Sequence, residues 1–253
     1  MCSNIEYHLL ANHLLENSFS ILFGAYYFQD DKLYNLASKI LKEELQEQVL
    51  SDGGHFELSP MYHQILLYRL LDCISLIQQN KWKNRELLNF LKEKASSMLS
   101  FLQAITYKNG EIPMVNDSAY NIAPSSKDLF SYAKSIDLQW NNNSKLTSSG
   151  YRKFYATNYE LMVDVGNIKP SYQPGHTHSD TFSFELYYKG SPIIVDTGVS
   201  TYEKNALRQK ERSTSSHNTV MIGDLEQSEV WGGFRVGKRA KVVILKETSS
   251  MVN

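Results

Sequence analysis

Apolar residues recur every three or four positions in the first half of the chain and every two in parts of the second. Leu33, Leu36, Ala37, Ile40, Leu41 and Leu45 fall on one face of a helix. A second helical face starts after Ser59-Pro60 and carries Ile65, Leu66, Leu70, Cys73, Ile74 and Ile77, with serine suited to the N-cap and proline to the first turn. A third carries Leu87, Leu88, Leu91, Ala95, Met98, Leu99 and Leu102. Long helices separated by turn-forming segments such as Ser51-Asp52-Gly53-Gly54 predict antiparallel hairpins in an all-helical layer. No strong sequence repeat relates them.

The polar run Asn141-Asn142-Asn143-Ser144 has no apolar periodicity and reads as a linker. Beyond it Phe182, Phe184, Leu186 and Tyr188 alternate with Ser183, Glu185 and Tyr187. Lys189-Gly190-Ser191-Pro192 then supplies a turn before Ile193-Ile194-Val195, which predicts a β-hairpin. Segments 218–224 and 240–245 read as further strands. The fold class expected is therefore α+β with two domains: helices over residues 1–140, and an antiparallel sheet or sandwich over 150–253. About five or six strands are expected, fewer than the roughly seven of a complete sandwich, so the sheet is expected to be incomplete.

Composition narrows the partners. Lys plus Arg total 26 against 27 Asp plus Glu, a formal net charge of −1, so no broad basic surface for nucleic acid is expected. The two cysteines, Cys2 and Cys73, show no paired spacing and predict neither a disulfide framework nor a CxxC zinc module. The most apolar stretch, Phe19 to Phe28, is too short to span a bilayer, and the N-terminus has no basic segment before an apolar core, so neither membrane insertion nor a signal peptide is expected.

The densest chemistry is Pro174-Gly175-His176-Thr177-His178-Ser179-Asp180, followed by Asp196 and by His217-Asn218-Thr219. Imidazoles and a carboxylate are ligands for a zinc-like ion, and a sheet can gather strand-end residues that are distant in sequence. In an extended segment His176 and His178 point to the same side. Structural or surface histidines are the plainer reading of the same spacing.

Residues 172–186, Val195-Asp196-Thr197-Gly198, Thr201-Tyr202-Glu203, Arg212-Ser213-Thr214 and His217-Asn218-Thr219-Val220 together resemble the heparinase II/III-like polysaccharide lyases. Upstream, Asn12-His13-Leu14-Leu15-Glu16-Asn17, Asp52-Gly53-Gly54-His55-Phe56-Glu57, Ser59-Pro60-Met61-Tyr62-His63 and Gly110-Glu111-Ile112-Pro113 follow the same family order. The resemblance implies the end of an α/α toroid followed by the start of an antiparallel β-sandwich, in a family whose members are usually more than twice this length. It implies β-elimination at a uronic acid of an acidic polysaccharide. Tyr62 and His176 are the implied acid–base pair, either of them serving as base according to syn or anti geometry. Asn12 and His13 are the implied donors that neutralise the sugar carboxylate, with Glu16 on the same helical face orienting the imidazole. His178, Asp196 and His217 are the implied ligands of one structural zinc. Arg212 is read either as a contact to a sugar carboxylate or sulfate, or as a structural arginine. By family, a periplasmic or cell-envelope location is implied.

Two other classes of function fit the same residues. A zinc-dependent hydrolase would use the His178, Asp196 and His217 ion to activate water. A non-catalytic, truncated glycan-binding fragment would keep the fold without turnover.

Overall fold

The computed structural model describes residues 4–142 and 145–248, and the backbone of 251–252. Asn143 and Ser144 of the expected linker lie outside the described residues.

Helices α1 (Ala11–Phe28) and α2 (Asp31–Gln48) pack on each other, as do α3 (Pro60–Gln79) and α4 (Glu86–Ile105). Their ends follow from local chemistry. Gln29 closes α1 in a left-handed conformation, and the Asp30 carboxylate caps α2 by accepting from Lys32 N at 2.7 Å and Leu33 N at 3.1 Å. Ser59 caps α3, accepting from Tyr62 N at 3.2 Å, with Pro60 in the first turn as the sequence predicts. Two helices escape the periodicity reading: α1, and a shorter one, α5 (Ser126–Ser135), which buries only Ser126, Leu129 and Ala133. Among the described residues no helix is long and apolar enough to cross a membrane.

Strands β1 (Tyr151–Tyr155), β2 (Tyr159–Asp164), β3 (Phe184–Tyr188) and β4 (Ser191–Ile194) form one antiparallel sheet in sequence order. A short helix α6 (Ala206–Glu211) follows, then two small hairpins, β5 (Val230–Trp231) with β6 (Arg235–Val236), and β7 (Glu247–Thr248) with β8 (Met251–Val252). Leucines of the helices and Tyr151, Met162 and Tyr187 of the sheet belong to one apolar cluster, so the sheet shares its core with the helical layer.

Alternation along β3 holds, and the buried face is the one bearing Glu185 and Tyr187. Tyr187 stacks on Tyr107 at a centroid distance of 3.8 Å, and Glu185 accepts from Tyr107 Oη at 2.8 Å, Met114 N at 3.1 Å and Asp196 N at 2.9 Å. These bonds make burial of a carboxyl tolerable. The strands expected at 218–224 and 240–245 are not formed: only an isolated Ile222–Leu225 bridge occurs there. Val220, Ile222, Val243 and Leu245 are exposed, and β-branched residues without a paired backbone or a covered face do not make a strand.

Candidate active site

The first turn of α3 carries Tyr62, and its Ser59 cap also donates to Asp117 O at 2.6 Å, which draws the 116–118 loop onto the helix start. Asn116 extends the stitch: its Nδ2 donates to Leu58 O at 2.9 Å and its Oδ1 accepts from His178 N at 3.0 Å. The loop bearing His176 and His178 is thereby held against the helical layer. The Tyr62 and His176 rings face each other with centroids 4.0 Å apart. Tyr202 lies 6.4 Å from the His176 ring, with its hydroxyl near enough to that of Tyr62 to act on it. Burial pushes the Tyr62 phenol above its ordinary pKa, and the Tyr202 hydroxyl partly opposes this.

Asp117 is the hub of the cluster. Its Oδ2 bonds His176 Nδ1 at 2.8 Å and its Oδ1 bonds His178 Nε2 at 2.8 Å. Arg208 closes on both oxygens, with Nη1 on Oδ1 and Nη2 on Oδ2, and donates Nε to Gly233 O at 3.1 Å. The Arg208 guanidinium lies 5.4 Å from the centroids of both Tyr202 and Phe234, whose rings are stacked within 10° of parallel. Burial works to raise the Asp117 carboxyl, but the bonds from His176, His178 and Arg208 win and hold it well below the usual carboxylate range. An ionised Asp117 can only accept. The nitrogen of each histidine that faces it, Nδ1 of His176 and Nε2 of His178, is therefore the donor, so in the neutral imidazole the lone pair falls on His176 Nε2 and on His178 Nδ1.

That tautomer of His178 bears on the second cluster. Candidate ligand atoms of His178, Asp196 and His217 lie within 4.8 Å of one another, all buried. His217 Nδ1 meets Asp196 Oδ2 at 2.9 Å, leaving Nε2 with no partner; His178 Nδ1 and Asp180 Oδ2 are likewise buried without partners. Burial works to lower the His217 pKa, but the bond and charge of Asp196, with the charges of Asp180 and Glu226, together raise it. Burial pushes Asp164 and Asp180 upward, and the neighbouring carboxylates add to the rise. Two imidazole lone pairs aimed into a pocket of buried carboxylates form a donor set that suits a divalent, zinc-like cation, so the residues present fit the metal that the resemblance implies.

Other expected residues lie elsewhere. Asn12, half-buried, has its backbone N–H close enough to Glu57 to act on that carboxyl. Glu57 lies 3.7 Å from His176 Nε2, which places the start of α1 at the edge of the cluster. Burial raises Glu57, and His176 and the Asn12 N–H pull it down. His13 is exposed and faces Glu6 at 3.8 Å; Glu16 pairs with Arg69 at 3.6 Å, so it does not orient His13. The reason is facing: on α1 the Glu16 carboxylate turns toward the α3 arginine. Arg212 is fully buried and donates to Thr177 O at 3.1 and 2.9 Å, which makes it a brace for the His176–His178 loop and removes it as a sugar contact.

Asp117, Arg208, Glu57 and Tyr202 complete the cluster. Glu57 and Tyr202 stand inside the motifs that carry the resemblance. Asp117 sits in an ordinary polar loop, and Arg208 in the charged run Arg208-Gln209-Lys210-Glu211-Arg212, which reads as a solvated face.

A layer of helical hairpins followed by an antiparallel sheet, with a polar cluster where they meet, matches part of a toroid-and-sandwich architecture. The chain belongs to the heparinase II/III family: the family model for the heparinase II/III N-terminus matches residues 4–145, and that for the heparinase II/III-like C-terminal region matches 141–252. A heparin-sulfate lyase of Bacteroides thetaiotaomicron is 26% identical over 235 residues, covering 76% of this chain and 33% of the relative. Another, of Bacteroides stercoris, is 22% identical over 256 residues, covering 88% and 37%. Among solved structures, a heparinase III superimposes with a TM-score of 0.71 at 20% identity over 91% of this chain and 40% of its own. The heparan sulfate lyase of Pedobacter heparinus superimposes with a TM-score of 0.66 at 20% identity, covering 88% and 40%. The chain spans about a third of the length of the curated relatives it matches.

Proposed function

We propose that the chain carries the catalytic centre of a polysaccharide lyase that cleaves an acidic, uronate-containing glycan by β-elimination. The observation that carries this reading is the Tyr62–His176 pair, one residue from the helical layer and one from the sheet side, face to face at 4.0 Å. In this reaction a base removes the C5 proton of the uronate. The released electron pair forms the C4–C5 double bond, the C4–O bond breaks, and an acid protonates the departing oxygen. His176 Nε2, whose lone pair the Nδ1–Asp117 bond leaves available, is the base in this reading. Tyr62, whose raised pKa keeps it protonated at neutral pH, is the acid. Asn12, at the edge of the cluster, is the donor to the sugar carboxylate as charge builds on it, a role worth about 3–4 kcal/mol in comparable oxyanion sites.

His178 Nδ1, Asp196 and His217 Nε2 would hold one zinc. Such an ion supplies positive charge among buried carboxylates and ties the 178, 196 and 217 segments together. All three residues are less than a tenth exposed, which suits a structural ion better than one that must deliver water to a glycan.

Appearance of the unsaturated uronate, followed by its ultraviolet absorbance on a panel of uronate glycans, tests the reading. The expected result is product formation by the parent chain and a loss of about 10²- to 10⁴-fold in Tyr62→Phe, with unchanged melting and metal content. Near-parental activity in that variant overturns the role of Tyr62. Cleavage without an unsaturated end would mean hydrolysis.

A further inference from the structure

Phe234 also lines a cavity of about 440 Å³ that takes no part in the cluster above. Lys204, Arg235 and Arg239 line it together with the aromatic rings of Tyr172, Trp231 and Phe234, and no acidic residue does. Among the described residues none of the three cations belongs to an ion pair; Arg239 reaches only Pro170 O at 3.5 Å, and the Arg235 guanidinium rests 5.5 Å from the Trp231 ring centroid. Two acids lie nearby, Glu47, whose charge acts on Tyr172, and Glu229, which accepts from Lys238 N at 3.2 Å, but neither lines the cavity or pairs with the three cations. Three unneutralised cations in one hollow of a chain whose net charge is −1 make a local field that selects anions. Trp231 and Tyr172 are about half exposed, at 51% and 46%, and offer flat faces to the C–H side of a sugar ring.

The wall is shared with the active site. Phe234 stacks on Tyr202, which touches Tyr62, and its carbonyl oxygen approaches Gly175, the residue before His176. The Gly232-Gly233 turn, with φ of 59° and 79°, brings the Lys204 stem against the backbone: a Cβ at Gly233 would lie 3.1 Å from Lys204 Cγ. We propose that this cavity is a subsite for a sulfate-bearing sugar of the same glycan, next to the unit that is cleaved; the proposal rests on the lyase reading. A sulfate ester presents three terminal oxygens and can accept from three separate cations at once. A uronate carboxylate presents two in one plane and is matched by a single bidentate arginine.

The test measures binding by calorimetry in the Tyr62→Phe background, so that turnover does not intrude. The probes are a sulfated, uronate-containing tetrasaccharide and its chemically desulfated counterpart. The triple variant Lys204→Ala, Arg235→Ala, Arg239→Ala is expected to weaken the sulfated probe at least about tenfold, as loss of charge-assisted hydrogen bonds requires, and to leave the desulfated probe unchanged. Arg239→Gln, a milder change, should show a smaller loss with the same selectivity and an unchanged melting curve. Equal losses for the two probes, or no loss for either, overturn the assignment. Failure of the lyase reading is distinguishable: a parent chain that forms no unsaturated product yet shows the sulfate-selective loss keeps the subsite and removes the lyase. A parent that forms product while the triple variant binds normally does the reverse.

Discussion

Asp117 carries more of this site than any other single residue, because one fully buried carboxylate serves two histidines and an arginine. Asp117→Asn keeps the shape but removes the charge and turns an amide N–H toward groups that are themselves donors. Arg208 is then a buried, unpaired guanidinium, a situation that costs about 3–5 kcal/mol when one partner of a buried pair is lost. The variant should melt well below the parent in a thermal scan; an unchanged midpoint would show that water reaches Arg208. His63 makes a prediction about pH. It is buried, accepts from His55 N at 3.3 Å and donates to Met98 O at 3.0 Å, and burial pulls its pKa from 6.5 to about 4. The unfolded chain therefore binds this proton first as pH falls. Stability from this residue is complete above pH 6.5 and declines as pH drops toward 4, by about 3 kcal/mol in total. Denaturant titrations across that range should show the decline, with a smaller slope in His63→Gln and a remainder from His55, whose pKa burial also lowers.

At the scale of elements, helices α2, α3 and α4 behave as their apolar periodicity demands, and the segments after β4 do not read so simply. The chain leaves β4, passes Asp196, and is pressed against the 116–118 loop by Val199 N, which donates to Ser118 O at 2.9 Å. Gly198 permits that approach. Its φ is +58°, and a Cβ there would lie 2.2 Å from Ser118 O and 2.9 Å from Met114 Cε. Gly198→Ala should destabilise by at least the roughly 1–3 kcal/mol of a left-handed non-glycine residue, with the clash added. Because the loop leads on from Asp196, metal content should fall as well. A parental melting curve for this variant would mean that the two loops separate at little cost.

For the whole molecule, the helical layer and the sheet are joined by a shared apolar core and by polar contacts, among them the Glu185 bonds and the stitch through Asn116, Asp117 and the 176–178 loop. The candidate metal ligands lie entirely on the sheet side. Metal-replete expression should yield about one zinc-like ion per chain by elemental analysis, and His217→Ala should lose it. Chelation should lower the thermal midpoint of the parent and leave that of His217→Ala unmoved, with helix content retained in both. Absence of metal from the replete parent would remove the assignment.

Much of this was written locally. Three of the four long helices, α2, α3 and α4, follow from three-and-four spacing, the start of α3 from Ser59-Pro60, and the β3–β4 hairpin from alternation around Lys189-Gly190; each rests on neighbours within one or two turns of chain. His178, Asp196 and His217 were legible as a ligand set through the family resemblance, since their spacing by itself reads more plainly as structural or surface histidines. Tertiary structure alone decided which charges meet. Asp117 and Arg208 lie in an unremarkable loop and a charged run, and nothing local marks them as a buried pair. Arg212 is braced inside, Glu16 turns to Arg69, and β3 buries its glutamate face, each through partners distant in sequence. Segments 218–224 and 240–245 have strand-forming residues but no strand, because a ladder needs a partner's backbone, and only the folded arrangement determines whether one is there.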